Sequence, residues 1–219
     1  MPHRTRIALC HPSLDTGRSR AAVLWAITAL RDEYDLTLVT ASKVDLGKLN
    51  ATFGTDVAAG DFHLRRAHEL PAANGSAKIG HSRVKRFEQF CRANTDETDI
   101  PLSVYNPIDF GRPGVHLVGD FSWDDETRTE LFEGSGEPPL WLGSRLFGTS
   151  GRDILNGHDL VVANSEATAA VLAERFRVQN VPVLAAPQRD ARDRPDEFVE
   201  QLPRVIARFV RRALAERAA

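Results

Sequence analysis

The chain has 219 residues and a net charge of −2, and 42% of its residues are hydrophobic while 26% are charged. This composition is that of a globular protein with one large core, and the near-neutral charge excludes the basic footprint of a nucleic-acid-binding protein. The first apolar run, Ile7–Cys10, is too short for a signal peptide, and no stretch approaches the ~20 apolar residues of a membrane span. We therefore expect a cytoplasmic protein without a transmembrane segment.

The first forty residues carry the pattern of a βαβ unit. Ile7–Cys10 predicts a short buried strand, and apolar side chains then recur with a period of 3.6 residues between Arg18 and Arg31. Leu36–Thr40 follows as a second strand rich in β-branched residues. A strand, a helix and a strand in this order predict neighbouring strands of a parallel sheet.

Strands and helices continue to alternate along the rest of the chain. Further strands are predicted at Phe62–Arg66, Leu102–Tyr105, Gly114–Val118, Leu160–Ala163 and Val181–Ala185. Further helices are predicted at Lys43–Leu49, Ile79–Arg92, Asp124–Phe132, Leu140–Leu155, Glu166–Arg175 and Pro195–Arg217. Together these elements predict a single α/β domain, doubly wound, with a mostly parallel Rossmann-like sheet of about six strands.

The turn after the first strand is a candidate phosphate site. A helix N-terminus attracts anions, Gly17 would let the backbone approach a phosphate, and Arg18 and Ser19 would add charge and a hydroxyl group. His11 begins this turn and is a candidate catalytic residue. The alternative is that Asp15 or Thr16 caps the helix and the arginines are merely solvated. The glycine spacing of a dinucleotide fingerprint and the lysine of a P-loop are both missing.

Two carboxylates and an Asn-Ser pair follow predicted strands. Asp109 and Asp120 could orient a sugar hydroxyl or accept its proton, although Asp beside Gly or Pro is also common in turns. We favour the turn for Asp109 and leave both interpretations open for Asp120. Asn164 and Ser165 follow a strand that is predicted to be buried, and Ser165 is a predicted N-cap. In a parallel sheet all these turns, with that of His11, are expected at one edge.

The histidine and cysteine spacing predicts no metal site, and we expect no cofactor. The seven histidines include no pair with the spacing of a zinc protease. His116 alternates with apolar neighbours, which favours a structural place in the sheet over a catalytic one.

Five segments, taken in order, carry a family resemblance. They are Ile7–Leu9, Gly17–Leu30, Tyr34–Thr40, Ser103–Val115 and Asp159–Ala169. The first three segments resemble, in order, the first strand, the glycine-rich loop with the first helix, and the second strand of one known domain. The last two resemble the segment before its acceptor-side loop and its closing strand and helix. This is the N-terminal, acceptor-side domain of family 4 glycosyltransferases, which have the two-domain GT-B fold. The resemblance covers about residues 6 to 187 and implies a domain over 1–187.

The resemblance implies roles for the candidate residues. Asp120 and His11 would be catalytic, and the substrate or phosphate groups would be bound by Gly17, Arg18, Ser19, Asp109, Asn164 and Ser165. The expected ligand is a sugar or a lipid-linked acceptor. The sequence departs from the family at two positions. Gly17 is followed by Arg18, where members usually carry two adjacent glycines. Gly119 stands where members often carry a histidine.

The residues after Pro187 depart further from the family. Where members have a second domain that binds the nucleotide-sugar, this sequence has a charged linker at 188–194 and an amphipathic helix over 195–219. Nucleotide-sugar binding is therefore expected only together with a partner chain, in a hetero- or homo-oligomer. In the family a C-terminal helix packs back on the first domain. We expect the same here, which predicts burial of Phe198, Leu202, Ile206 and Phe209.

Two other functions stay open at this point. The chain could be a binding or regulatory subunit that keeps the glycosyltransferase-like fold without its chemistry. It could also be an unrelated α/β enzyme that uses a nucleotide cofactor, although the dinucleotide fingerprint is missing.

Overall fold

The computed structural model describes residues 4–15, 19–67, 86–96, 99–105, 107–119, 158–187 and 195–218. Its centre is a six-stranded sheet in the order β3-β2-β1-β4-β5-β6, in which every neighbouring pair is parallel. The strands are β1 Arg6–Cys10, β2 Asp35–Thr40, β3 His63–Arg66, β4 Ile100–Tyr105, β5 Val115–Val118 and β6 Leu160–Ala163. The expected doubly wound, Rossmann-like sheet is confirmed, and it is parallel throughout rather than mostly parallel.

The described helices cover both faces of this sheet. They are α1 Ser19–Leu30, α2 Leu46–Phe53, α3 over 86–93, α4 Glu166–Phe176 and α5 Pro195–Ala218, with a short 3-10 turn at Ala59–Asp61. The predicted helices at 124–132 and 140–155 lie outside the described residues. Within the part of the chain that the structure describes, no helix combines the length and apolar content needed to cross a membrane.

Burial on both faces explains why the strands are continuous apolar runs. In β1, Ile7 and Leu9 belong to the buried cluster that contains α1 and α5, whereas Ala8 and Cys10 belong to the cluster that contains α3. All four side chains have no exposed surface. A parallel strand between two helical layers has no polar face, so the hydrophobic pattern does not alternate.

The C-terminal helix packs back on the domain, as the apolar stripe predicts. Phe198, Leu202, Ile206 and Phe209 are 1%, 0%, 0% and 4% exposed and lie in one cluster with α1. The helix is continuous through Pro203, which costs it one backbone hydrogen bond but neither ends it nor splits it in two. This confirms the expected burial.

Two predicted elements differ in the structure. The helix expected from Lys43 begins at Leu46 because the side chain of Asp45 accepts the Lys48 backbone N–H and caps it. The strand expected at Val181–Ala185 is reduced to an isolated bridge between Ala163 and Val183. Pro182 has no N–H group to donate, which prevents a longer ladder.

The burial of α5 makes a direct stability prediction. Ile206→Ala removes a fully buried side chain at the α1–α5 contact, so we expect a loss of about 2–5 kcal/mol in the free energy of unfolding. Urea titration followed by circular dichroism measures it. The exposed Arg208→Ala on the same helix is the control and should change stability by no more than about 0.5 kcal/mol. Equal effects of the two substitutions would show that α5 does not pack on the domain.

Candidate functional site

A histidine at the end of β1 is bonded to the start of α1. His11 directly follows β1, and its Nε2 lies 2.9 Å from the Oγ atom of Ser19, the first residue of α1. Both residues are 1% exposed. The pair therefore fixes the N-terminus of α1 at the carboxyl edge of the sheet, where its partial positive charge points toward the ligand side.

Burial keeps the His11 imidazole neutral. The pKa of His11 is lowered from 6.5 to about 4, chiefly because burial penalises the charged ring; the Ser13 backbone raises it and the Arg20 charge lowers it, both to a smaller extent. At pH 7 the ring therefore carries no charge. A neutral, fully buried ring suits the positioning of Ser19, and the catalytic role expected for His11 stays a prediction.

The turn after His11 is tied to the end of β2. The Ala41 backbone N–H donates to the Pro12 carbonyl oxygen at 3.1 Å, and the Leu14 N–H donates to Ser42 Oγ at 2.6 Å. These bonds fix the path of the chain up to Asp15. Two predicted phosphate-binding residues of this turn, Gly17 and Arg18, lie outside the described residues.

The predicted Asn-Ser pair forms a capping network at the end of β6. Ser165 is the N-cap of α4, as predicted, and its Oγ accepts the Thr168 backbone N–H at 3.1 Å. The buried Thr168 hydroxyl lies 3.0 Å from the Asn164 carbonyl oxygen Oδ1 and 3.4 Å from the Gly119 carbonyl oxygen. The network therefore joins the carboxyl ends of β5 and β6.

A small cleft connects these two groups of residues. Its walls include Ala22 in the first turn of α1, Gly119 after β5, Asn164 after β6 and Phe198 of α5. The cleft has about 10 Å³ of free space, close to what one water molecule needs. Its lining is apolar apart from the Asn164 amide. The sequence did not predict Phe198 as part of this edge, because the apolar stripe on α5 indicates only that Phe198 is a core residue.

Asp109 lies away from this edge, which corrects the expectation that it would join the other turns. It forms an ion pair with Arg92, at the end of α3, and accepts the Gly111 N–H at 2.8 Å. Nearby Arg112 donates to the Asp96 carbonyl oxygen, and Asp96 pairs with Arg6 at the first position of β1, so the segment lies toward the amino edge.

The reason for this position is the connection between β4 and β5. These neighbouring strands are parallel, so the chain must return from the carboxyl edge to the amino edge between them. Residues 107–114 make this return without a helix, and Ile108 and Phe110 are buried on the sheet as they cross it. Asp109 therefore belongs to the crossing segment, and its carboxylate serves a turn and an ion pair. The other predicted carboxylate, Asp120, lies outside the described residues.

A Ser–His–Asp arrangement in the sheet is structural. His116 Nδ1 lies 2.9 Å from Ser103 Oγ, and His116 Nε2 lies 3.6 Å from Asp159 Oδ2. A hydrolytic triad has the serine on Nε2 and the aspartate on Nδ1, the reverse of this order. The side chains are also buried, and Phe110 stacks on the imidazole. The arrangement ties β4, β5 and β6 together, in line with the structural role predicted for His116.

Comparison with known proteins adds no identification. No protein-family model matches the chain, and no curated protein matches its sequence. Among the residues that the structure describes, no three metal-ligating side chains come together. What the structure assembles is an edge built from His11, Ser19, Asn164 and Ser165, and its function rests on the proposal below.

The lowered pKa of His11 predicts a pH dependence of stability. The unfolded chain binds a proton at this residue below about pH 6.5, but the folded chain does so only near pH 4, so stability falls as the pH drops between these values. The loss should be about 3 kcal/mol. His11→Gln cannot titrate and should show a correspondingly shallower decline in urea titrations across this range. The exposed His63→Gln is the control, and identical curves for both variants would contradict the prediction.

The capping network predicts a cost for losing one hydroxyl group. Ser165→Ala leaves the Thr168 N–H without its side-chain acceptor, so we expect a loss of about 1 kcal/mol in the free energy of unfolding. Asp45→Ala removes the corresponding cap of α2 and should cost a similar amount. Thermal unfolding of the two variants compares them. If only Asp45→Ala is destabilising, the Ser165 cap does not contribute as described.

Proposed function

We propose that the chain is a glycosyltransferase-like, acceptor-binding domain that acts in sugar transfer together with a separate donor-binding chain, in the cytoplasm. The observation that carries this proposal is the course of α5. The helix starts beside the cleft at the carboxyl edge and packs back along α1, which supports the arrangement expected from the resemblance to family 4 glycosyltransferases. With α5 on one face, the carboxyl edge is left for ligands.

Sugar transfer requires two kinds of assistance at this edge. A general base takes the proton from the acceptor hydroxyl, and positive charge stabilises the diphosphate that leaves. We assign the base to Asp120, which follows Gly119 at the end of β5. The diphosphate faces the N-terminus of α1, with Gly17, Arg18 and the Ser19 backbone N–H as its partners, because the Ser19 hydroxyl is buried against His11. His11 is buried, so we assign it to the positioning of Ser19.

The acceptor is assigned to the cleft region. Its walls bring together the start of α1, the end of β5 and the Asn164 amide, so a hydroxyl-bearing ligand placed there lies within reach of all three. The cleft has room for about one water molecule, so the sugar ring or the first carbons of a lipid-linked acceptor would lie outside it along the edge, with a hydroxyl group reaching toward the cleft. Asn164 is the polar group that would fix its orientation.

A binding and transfer experiment tests this function. Calorimetric titration of the purified chain with simple glycosides should show binding, whereas titration with nucleotide-sugars should show none until a donor-binding chain is present. In the reconstituted pair, Asp120→Asn should lower kcat by at least about 100-fold. Asp109→Asn is the matched control, because the structure places Asp109 toward the opposite edge. Tight binding of a nucleotide-sugar by the chain alone would contradict the proposal.

One observation favours a binding subunit without catalysis as the second candidate. Most of the described polar groups at the carboxyl edge already have partners within the protein: His11 Nε2 with Ser19, and Asn164 and Ser165 with Thr168, whereas buried His11 Nδ1 has no hydrogen-bond partner among the described residues. Groups engaged in this way stabilise the fold first. Binding of a partner chain without any binding of glycosides would support this candidate over sugar transfer.

The sequence after β2 argues against a dinucleotide-dependent enzyme. Such enzymes place a carboxylate near the end of this strand to bind the ribose hydroxyls. Here the chain continues with Ala41, Ser42 and Lys43, and the Ser42 hydroxyl accepts the Leu14 N–H. Binding of NAD in the same calorimetric series would overturn this argument.

A further inference from the structure

The second half of α5 carries a surface that the proposed function does not use. We call it the arginine ridge and define it as Arg204, Arg208, Arg211 and Arg212. All four residues are exposed, and the Arg204 side chain retains 70% of its accessible surface. At 3.6 residues per turn these positions fall within about 100° of the helix circumference and about 12 Å of its length.

Much of the positive charge on the ridge is uncompensated. In the part of the chain that the structure describes, no carboxylate pairs with Arg208 or Arg211. Arg211 Nε instead donates to the Ala207 carbonyl oxygen of its own helix, and Arg204 pairs with Glu200 one turn away. The exposed ridge therefore presents guanidinium groups to whatever approaches it.

The helix dipole does not account for this placement. Basic residues are favoured in the last turn of a helix, where they face the partial negative charge of its C-terminus. α5 ends at Ala218, so Arg204 and Arg208 lie several turns before that end. Acidic side chains occupy the other half of the exposed surface, at Asp196 and Glu197. Because Glu216 follows Arg212 in the sequence of α5, the ridge is a basic segment between acidic residues.

The ridge runs along α5 away from the candidate site. Arg212 donates to the carbonyl oxygen of His158, directly before β6, and its guanidinium group lies over the Phe209 ring at 5.4 Å. These contacts place the Arg212 end of the ridge at the amino edge, whereas Arg204 lies about 12 Å farther back along the helix. Phe198, near the other end of α5, lines the cleft at the carboxyl edge.

We propose that the arginine ridge binds the surface of an anionic lipid bilayer, with α5 lying along the membrane and the carboxyl edge of the sheet at the side of the bound domain. Guanidinium groups bind phosphate oxygens in a bidentate manner, and each basic residue near an anionic bilayer contributes ~1 kcal/mol. In this orientation the candidate site stays open to the aqueous phase and receives its ligand and its partner chain from there.

The charge distribution favours a bilayer over a nucleic acid. A polynucleotide is held by an extended positive surface, and single strands also need exposed aromatic side chains for stacking. The exposed positions of the ridge are all arginine, and the net charge of the chain is −2. A flat bilayer requires only a local patch, because charges farther away than a Debye length of about 8–10 Å are screened.

Vesicle sedimentation with the full chain tests the proposal. One set of vesicles contains phosphatidylcholine alone, and the other contains about one third phosphatidylglycerol. The chain should bind only the second set and dissociate at about 0.5 M salt. Arg208→Glu with Arg211→Glu should weaken binding by at least about 30-fold, since two contributions of ~1 kcal/mol are lost.

The matched control is Lys48→Glu with Arg65→Glu, which changes the net charge equally at exposed positions away from α5. It should stay within about threefold of the unmodified chain, and circular dichroism checks that both variants fold. Equal weakening by both variants, binding to phosphatidylcholine alone, or no binding to either vesicle would overturn the proposal. So would tighter binding of a short DNA or RNA duplex that the ridge variant abolishes, since the ridge would then serve a nucleic acid.

Discussion

The fold depends on covering one face of an all-parallel sheet. Parallel strands expose apolar side chains on both faces, so each face needs a helical layer. On one face that layer includes α1 and α5, which share a buried cluster with β1, β4 and β5. Leu202 and Ile206 have no exposed surface and close this layer. The end of the chain is thus as much part of the core as its beginning.

This packing also determines what the carboxyl edge can do. Because α1 is fixed on the sheet by α5, its N-terminus has a fixed position, and the His11–Ser19 hydrogen bond attaches it to the end of β1. The Asn164, Ser165 and Thr168 network fixes the other side of the cleft in the same way. Both groups act first as structural anchors. Any ligand would be met by a preformed edge and by the residues that follow Asp15 and Gly119.

Sequence patterns predicted the sheet well because the strands are buried on both faces. The runs at Ile7–Cys10 and Leu160–Ala163 were apolar enough to identify, and the stripe on α5 predicted its buried side. The residues that meet at the carboxyl edge of the sheet were harder to predict. Asp109 follows a strand in sequence, but with no helix between β4 and β5 the chain itself must return to the amino edge. His116 contacts Ser103 and Asp159, which are far from it in the sequence. No local sequence pattern predicts such a contact.

The position of α5 in the chain has a consequence for synthesis. The residues of α5 that cover α1 are made after all six described strands, although the βαβ unit they cover is made before β3 to β6. Until Leu202 and Ile206 emerge, Leu24 and Ile27 of α1 lack part of the cluster that buries them. Domains generally fold as units, and apolar surface that is still uncovered during synthesis promotes aggregation. The core around α1 therefore stays incomplete until α5 is made, and the packing of α5 ends this aggregation-prone stage.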